Sequence, residues 1–170
     1  MLPDSLVDVQ RAAKYGVLAP LTLGEEKDEV LENDLVKITV STKGGQIKEV
    51  LLKNYSSWKN EPLKIFEEGN STMSFTAETR FGTFDLSDFY FPPSLSSEEI
   101  EGVKTQVLTL SAGTESGQIV QTLTLAEGSY VVEKSWEVKN YQGVFTGKNL
   151  QLQWADKIRS QEKDLAESRR

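Results

Sequence analysis

Neither cysteine nor histidine occurs anywhere in the 170 residues. The first absence excludes disulfide frameworks, thiolate zinc sites and cysteine nucleophiles. The second removes the side chain most used for proton transfer near neutral pH, so a Ser-His-Asp triad cannot be assembled. No window approaches the roughly 18 consecutive apolar residues of a membrane span, and the N-terminus lacks the charged and apolar regions of a signal peptide. Basic residues number 19 against 26 acidic ones, a net charge of -7, which argues against nucleic acid because backbone phosphates demand a basic face. There is no Asp-x-Asp-x-Asp-Gly loop for calcium and no phosphate-cradling glycine loop. No internal repeat or low-complexity tract is visible. These absences leave no cofactor to expect.

What the chain does have is the composition of one ordinary globular domain, 38% hydrophobic and 26% charged. Its most informative stretch begins at Val36, Ile38 and Val40, which alternate with Lys37, Thr39 and Ser41. An extended segment of that pattern has one apolar and one polar face. Lys43-Gly44-Gly45 follows, with glycines suited to the positive φ of a tight turn. Ile47, Val50, Leu51 and Leu52 then resume the apolar pattern without clean alternation, so a bulge or a doubly covered strand is expected there.

Short strands continue along the chain. One is expected over 63–66, and one or two over 73–84 with a break at Gly82. Longer ones follow over 104–111, 118–126 and 130–141, and the joints at 113–117 and 127–129 are short enough for antiparallel hairpins. In the last of these Tyr130, Val132, Trp136 and Val138 share a face interrupted only by Lys134, which places Trp136 in the core. Residues 85–97 contain Pro92-Pro93 and several serines and read as a surface loop despite their aromatics. At the N-terminus Asp4 or Ser5 can cap a short helix ending near Tyr15, and 17–28 reads as a linker. Leu150, Leu152 and Trp154 alternate as a final strand, and 156–170 reads as a helix with Asp156 near its start. The expected architecture is mainly β, a two-sheet sandwich with a helix at each end, divided as 1–28, 29–155 and 156–170.

The Ser41-Thr42-Lys43-Gly44-Gly45 turn and its flanking strands, the Asp88-Phe89-Tyr90-Phe91 segment, and the run from Leu150 through Trp154 to Gln161-Glu162-Lys163 together resemble the large periplasmic domain of the YidC membrane-protein insertases. The resemblance implies a twisted supersandwich similar to galactose-mutarotase-like folds. It also implies a periplasmic, monomeric, non-catalytic module of an inner-membrane protein, joined to the membrane by helices outside this chain. By the same implication the partners are Sec translocon components and nascent membrane proteins, whose insertion and folding the family assists.

On this reading the candidate partner-binding residues are Trp58, Phe89, Tyr90, Trp154, Lys157, Gln161, Glu162 and Lys163. Trp58 lies in a loop. Trp154 and the residues after it lead toward the next membrane segment in the family. The rival is a stand-alone carbohydrate-binding or sugar-modifying sandwich. Its carboxylate pairs would be Asp85 with Asp88 or Glu67 with Glu68, since two suitably spaced acids can hydrolyse a glycoside. A mutarotase-type reaction would need a histidine that is not there.

Overall fold

The structure, a computed structural model, describes residues 4–157, with side chains described from Leu6 onward. Helix α1 (Asp4–Tyr15) leads through a 3-10 helix (Gly16–Thr22) into eleven strands. The strands form three antiparallel sheets packed as a sandwich. The first sheet has the order β1-β2-β3-β4, from β1 (Asp28–Glu32), β2 (Val36–Ser41), β3 (Ile47–Ser56) and β4 (Pro62–Glu67). The second has the order β10-β9-β8-β7, from β7 (Pro93–Ile100), β8 (Val103–Thr114), β9 (Gly117–Ala126) and β10 (Val132–Lys139). The third places β11 (Gln151–Asp156) beside β5 (Ser71–Thr79), with β6 (Gly82–Asp85) beyond it.

The alternating patterns become faces as their period requires. Val36, Ile38 and Val40 are buried, and so are Ile119, Leu123 and Leu125 of β9. These side chains and Leu31, Leu108 and Leu110 form one core between the sheets. The irregular apolar run of β3 gives a strand whose register shifts against both neighbours, opposite Thr39/Val40 in β2 and between Val50 and Leu51 against β4.

Three expectations are corrected. Residues 85–97 are not a surface loop: Asp85 closes β6, Leu86–Asp88 form a 3-10 turn capped by the Asp85 carboxylate, and Pro93 opens β7. Pro93 is tolerated there because it is the first residue of an edge strand. The expected linker over 17–28 is not one along its first part, because 17–22 belong to the 3-10 helix and Leu18 and Leu21 are buried in the core. Asp156 does not start a helix. It ends β11, where its carboxylate accepts a 2.6 Å hydrogen bond from Ser71 Oγ. Residues 158–170, and with them the proposed C-terminal helix, lie outside the described residues.

The Lys43-Gly44-Gly45 turn is clamped from several sides. The Gly44 N–H donates to the Phe89 carbonyl at 2.8 Å, and the Phe91 N–H donates to the Thr42 carbonyl at 2.8 Å. Gln121 Nε2 reaches the Gly44 carbonyl at 3.2 Å, and Lys134 Nζ reaches the Gly45 carbonyl at 2.6 Å. A glutamine on the buried face of β9 and a lysine on the inner face of β10 are thus explained by one need. They supply donors to a turn that enters the sandwich with carbonyls no strand can satisfy.

Candidate partner-binding cleft

The two sheets flanking β10 and β11 do not close completely. Between them lies a cleft of about 280 Å³ lined chiefly by Ala77, Ile119, Trp136, Val138, Phe145 and Leu150. Its walls follow from strand periodicity. Met73, Phe75 and Ala77 share one face of β5, and the antiparallel register sets Leu152 opposite Phe75 and Trp154 opposite Met73. Phe75 packs inward against Trp136, ring centroids 5.3 Å apart. Leu150, Leu152 and Trp154 therefore form a row that starts in the cleft and runs out along β11. Trp154 is 60% exposed and Leu152 and Val138 are also uncovered, so the row overhangs the neighbouring sheet.

Edge chemistry singles out β11. Edge strands offer unpaired backbone groups and are usually blunted by proline, charge or brevity. Pro93, Glu98 and Glu99 do this on β7, while Pro62 and Lys64 do it on β4. Acids at both ends blunt β1, alternating Glu133, Glu137 and Lys139 blunt β10, and β6 has only four residues. Among the described edge strands β11 alone carries exposed leucine and tryptophan with a single terminal charge, Asp156.

Lys134 sits at the inner end of this region. Its ammonium lies 4.9 Å from the Phe75 ring centroid and 5.2 Å from that of Trp136, besides donating to Gly45. These contacts favour the charged form. Desolvation opposes them and pushes the amine down to about 8 from the ordinary 10.5. Between these values the folded chain has released a proton that the unfolded chain still holds, so stability is expected to rise with pH across that window. Lys48 and Lys64 are held above the ordinary lysine value, first by their hydrogen bonds with Asp28 and Glu49, and titrate higher. Urea midpoints measured from pH 8 to 10 should therefore climb, and Lys134→Met should flatten that rise. An equal slope in the variant would contradict the assignment.

The residues singled out from sequence do not converge on one site. Phe89 is fully buried and cannot present a partner surface, because its ring fills the core against Tyr15 and Phe84. Tyr90, its neighbour in sequence, is half-buried and faces a different cleft beside α1. Trp58 occupies the turn between β3 and β4, 51% exposed, with the Lys59 ammonium 5.3 Å from its ring centroid. Trp154 and exposed Lys157 are on and just after β11, while Gln161, Glu162 and Lys163 lie outside the described residues. Trp136, expected in the core, is half-buried and forms a cleft wall. Among the described residues its Nε1 is one of two buried side-chain polar atoms without a partner, the other being Gln121 Oε1. Trp136 still packs against the core, between Phe75 and Phe91, whereas Val138 is exposed because strand alternation reports which side faces inward, not whether the opposing sheet reaches far enough to cover it.

The carboxylates of the rival reading are occupied structurally. Asp85 accepts from the Ser87 N–H and Asp88 accepts from the Tyr15 hydroxyl, each at 2.8 Å. Glu67 binds Lys64 and Asn70, and Glu68 faces Lys48. No group of three or more potential metal ligands is found among the described residues. No helix among them is long and apolar enough to cross a membrane.

Comparison with known proteins places the chain in a family. Residues 30–169 match the family model described as the YidC periplasmic domain. The membrane protein insertase YidC of Cytophaga hutchinsonii is 30% identical over 167 residues, covering 98% of this chain and 26% of that protein. The corresponding insertase of Azobacteroides pseudotrichonymphae is 35% identical over 163 residues, covering 94% of this chain and 26% of the relative. That of Parabacteroides distasonis is 32% identical over 172 residues, covering 95% and 25%. The chain thus spans about a quarter of the length of these curated relatives. The match of residues 30–169 to the family model, together with relatives 30–35% identical across nearly the whole chain, makes it a member of the YidC periplasmic domain family.

Proposed function

We propose that this domain is a non-catalytic docking module on the periplasmic side of a membrane-protein insertase, and that its working surface is the cleft and overhanging row of β11. The single observation that carries this is Leu152 and Trp154 exposed on an edge strand that has no proline and only one charge, the terminal Asp156. An extended apolar segment can add to that edge through main-chain hydrogen bonds and seat alternate side chains against Leu150, Leu152 and Trp154. Such segments belong to nascent membrane proteins before they are fully inserted, and to Sec components that pass beside the insertase. The chemistry is contact and orientation. No histidine is available for proton transfer, and the Asp85, Asp88, Glu67 and Glu68 carboxylates serve turns and ion pairs.

The test is Leu152→Asp combined with Trp154→Asp in the full-length insertase. Both side chains are exposed, so the domain should keep its unfolding free energy, measured in urea, within about 1 kcal/mol. Loss of one aromatic anchor of hot-spot size corresponds to about 2 kcal/mol or more, roughly a thirty-fold weaker contact. Insertion of substrates with long periplasmic segments should fall several-fold. Normal insertion by a stably folded double variant would overturn the proposal.

A further inference from the structure

Helix α1 is covered by the rest of the domain only at its C-terminal end. Tyr15, its last residue, is buried between Phe84 and Phe89, whereas Leu6, Val7 and Val9 are exposed, the last at 64%. Ala12 and Ala13 are exposed as well. A helix that leaves its apolar residues in water has not found its partner within the domain.

An open cleft of about 410 Å³ separates this helix from the Lys43 turn. Val7, Arg11 and Lys14 line one side, and Lys43, Asp88 and Tyr90 line the other. Three cations thus meet one acid in a chain whose net charge is -7. The acid is already engaged. Asp88 accepts from the Tyr15 hydroxyl at 2.8 Å, that hydroxyl accepts from Lys14 at 2.7 Å, and the Lys14 ammonium itself lies 3.9 Å from the Asp88 carboxylate. Arg11 pairs at its solvent side with Asp8, at 2.7 Å. Lys43 makes no ion pair among the described residues. Its ammonium lies 5.8 Å from the Tyr90 ring centroid, and its field reaches Glu26, which is bonded to Ser41 and Lys48.

We propose that this cleft seats the phosphate of an anionic phospholipid headgroup, with Leu6 and Val9 entering the bilayer interface beside it. Charge complementarity selects the occupant. A phosphodiester accepts the guanidinium of Arg11 and the ammonium groups of Lys14 and Lys43, while Val7 and Tyr90 meet its glycerol and upper acyl carbons. Exposed aliphatic residues beside basic ones are what an interfacial helix requires. The remaining acidic surface is repelled by an anionic bilayer, so attraction confined to this face also orients the domain. The surface is separate from the β11 cleft and does not depend on its role.

The 170-residue chain, sedimented with vesicles of phosphatidylglycerol and phosphatidylethanolamine at low ionic strength, should bind measurably more than with phosphatidylcholine vesicles. Binding should weaken as salt rises. Lys43→Gln and Arg11→Gln should each reduce partitioning about five-fold, the share expected of one basic residue near an anionic surface. Val9→Asp, at a position that supports no core packing, should reduce it without changing the urea midpoint. Equal binding to the two kinds of vesicle would overturn the proposal, as would unchanged partitioning of the folded Lys43→Gln and Arg11→Gln variants. Chemical-shift changes at Arg11 and Lys43 with inorganic phosphate but no vesicle binding would equally overturn it, by showing a free-anion site.

Discussion

Gly44→Ala is expected to destabilise the domain by about 2–5 kcal/mol, a large share of the stability of an ordinary domain. Two costs combine. Gly44 has φ +73°, where a Cβ clashes with its own backbone at a cost of about 1–2 kcal/mol. That Cβ would also lie 2.7 Å from Ser87 Cα and 3.1 Å from Ser87 N. The obstacle is backbone in the capped 3-10 turn and cannot rotate away, so overpacking adds about 1–3 kcal/mol. Gly128 is the control: its φ is +72°, but nothing lies within 4 Å of the added carbon. Gly128→Ala should therefore show the conformational cost alone, about 1–2 kcal/mol. Urea unfolding with unchanged slope measures both. Equal losses at the two glycines would mean that the turn is not clamped against Ser87.

Phe89→Ala should cost about 3–5 kcal/mol, the range for removing a buried ring whose neighbours cannot collapse into its place. Phe89 is fully buried, with the Tyr15 and Phe84 centroids at 5.8 and 6.2 Å. Tyr15 also ties α1 to Asp88, so the helix should loosen with the core. Tyr90→Ala, one residue on and half-buried, should cost about 1 kcal/mol or less. A small loss for Phe89→Ala, comparable with that for Tyr90→Ala, would return this segment to the surface.

The contrast between these neighbours shows what sequence could and could not yield. Val36, Ile38 and Val40, or Ile119, Leu123 and Leu125, announce their strands because a buried face repeats every second residue. β7 carries no such repeat. All its residues are exposed, and it is ordered by backbone pairing to β8, so the prolines and serines of 85–97 looked like a loop. Leu18 and Leu21 were hidden by Gly16 and Pro20, which punctuate a chain that is nevertheless packed. Lys134 stood out only as a break in an apolar row, and nothing in the sequence marked Gln121. Their purpose depends on a turn 89 residues before Lys134 and 77 before Gln121, a pairing no local pattern encodes. The site was legible in half: the Leu150, Leu152 and Trp154 row was visible, but its opposing wall of Trp136 and Val138 required the spacing of two sheets.

If the inner face of β11 receives a partner as proposed, a photoreactive side chain placed on alternate residues of the strand will report it. In the full-length insertase engaged with a nascent substrate, probes at 152 and 154 should crosslink to that substrate or to a Sec component. A probe at 153, on the opposite face of the same strand, should crosslink far less. No adducts at 152 and 154, or adducts of equal yield at 153, would contradict the account.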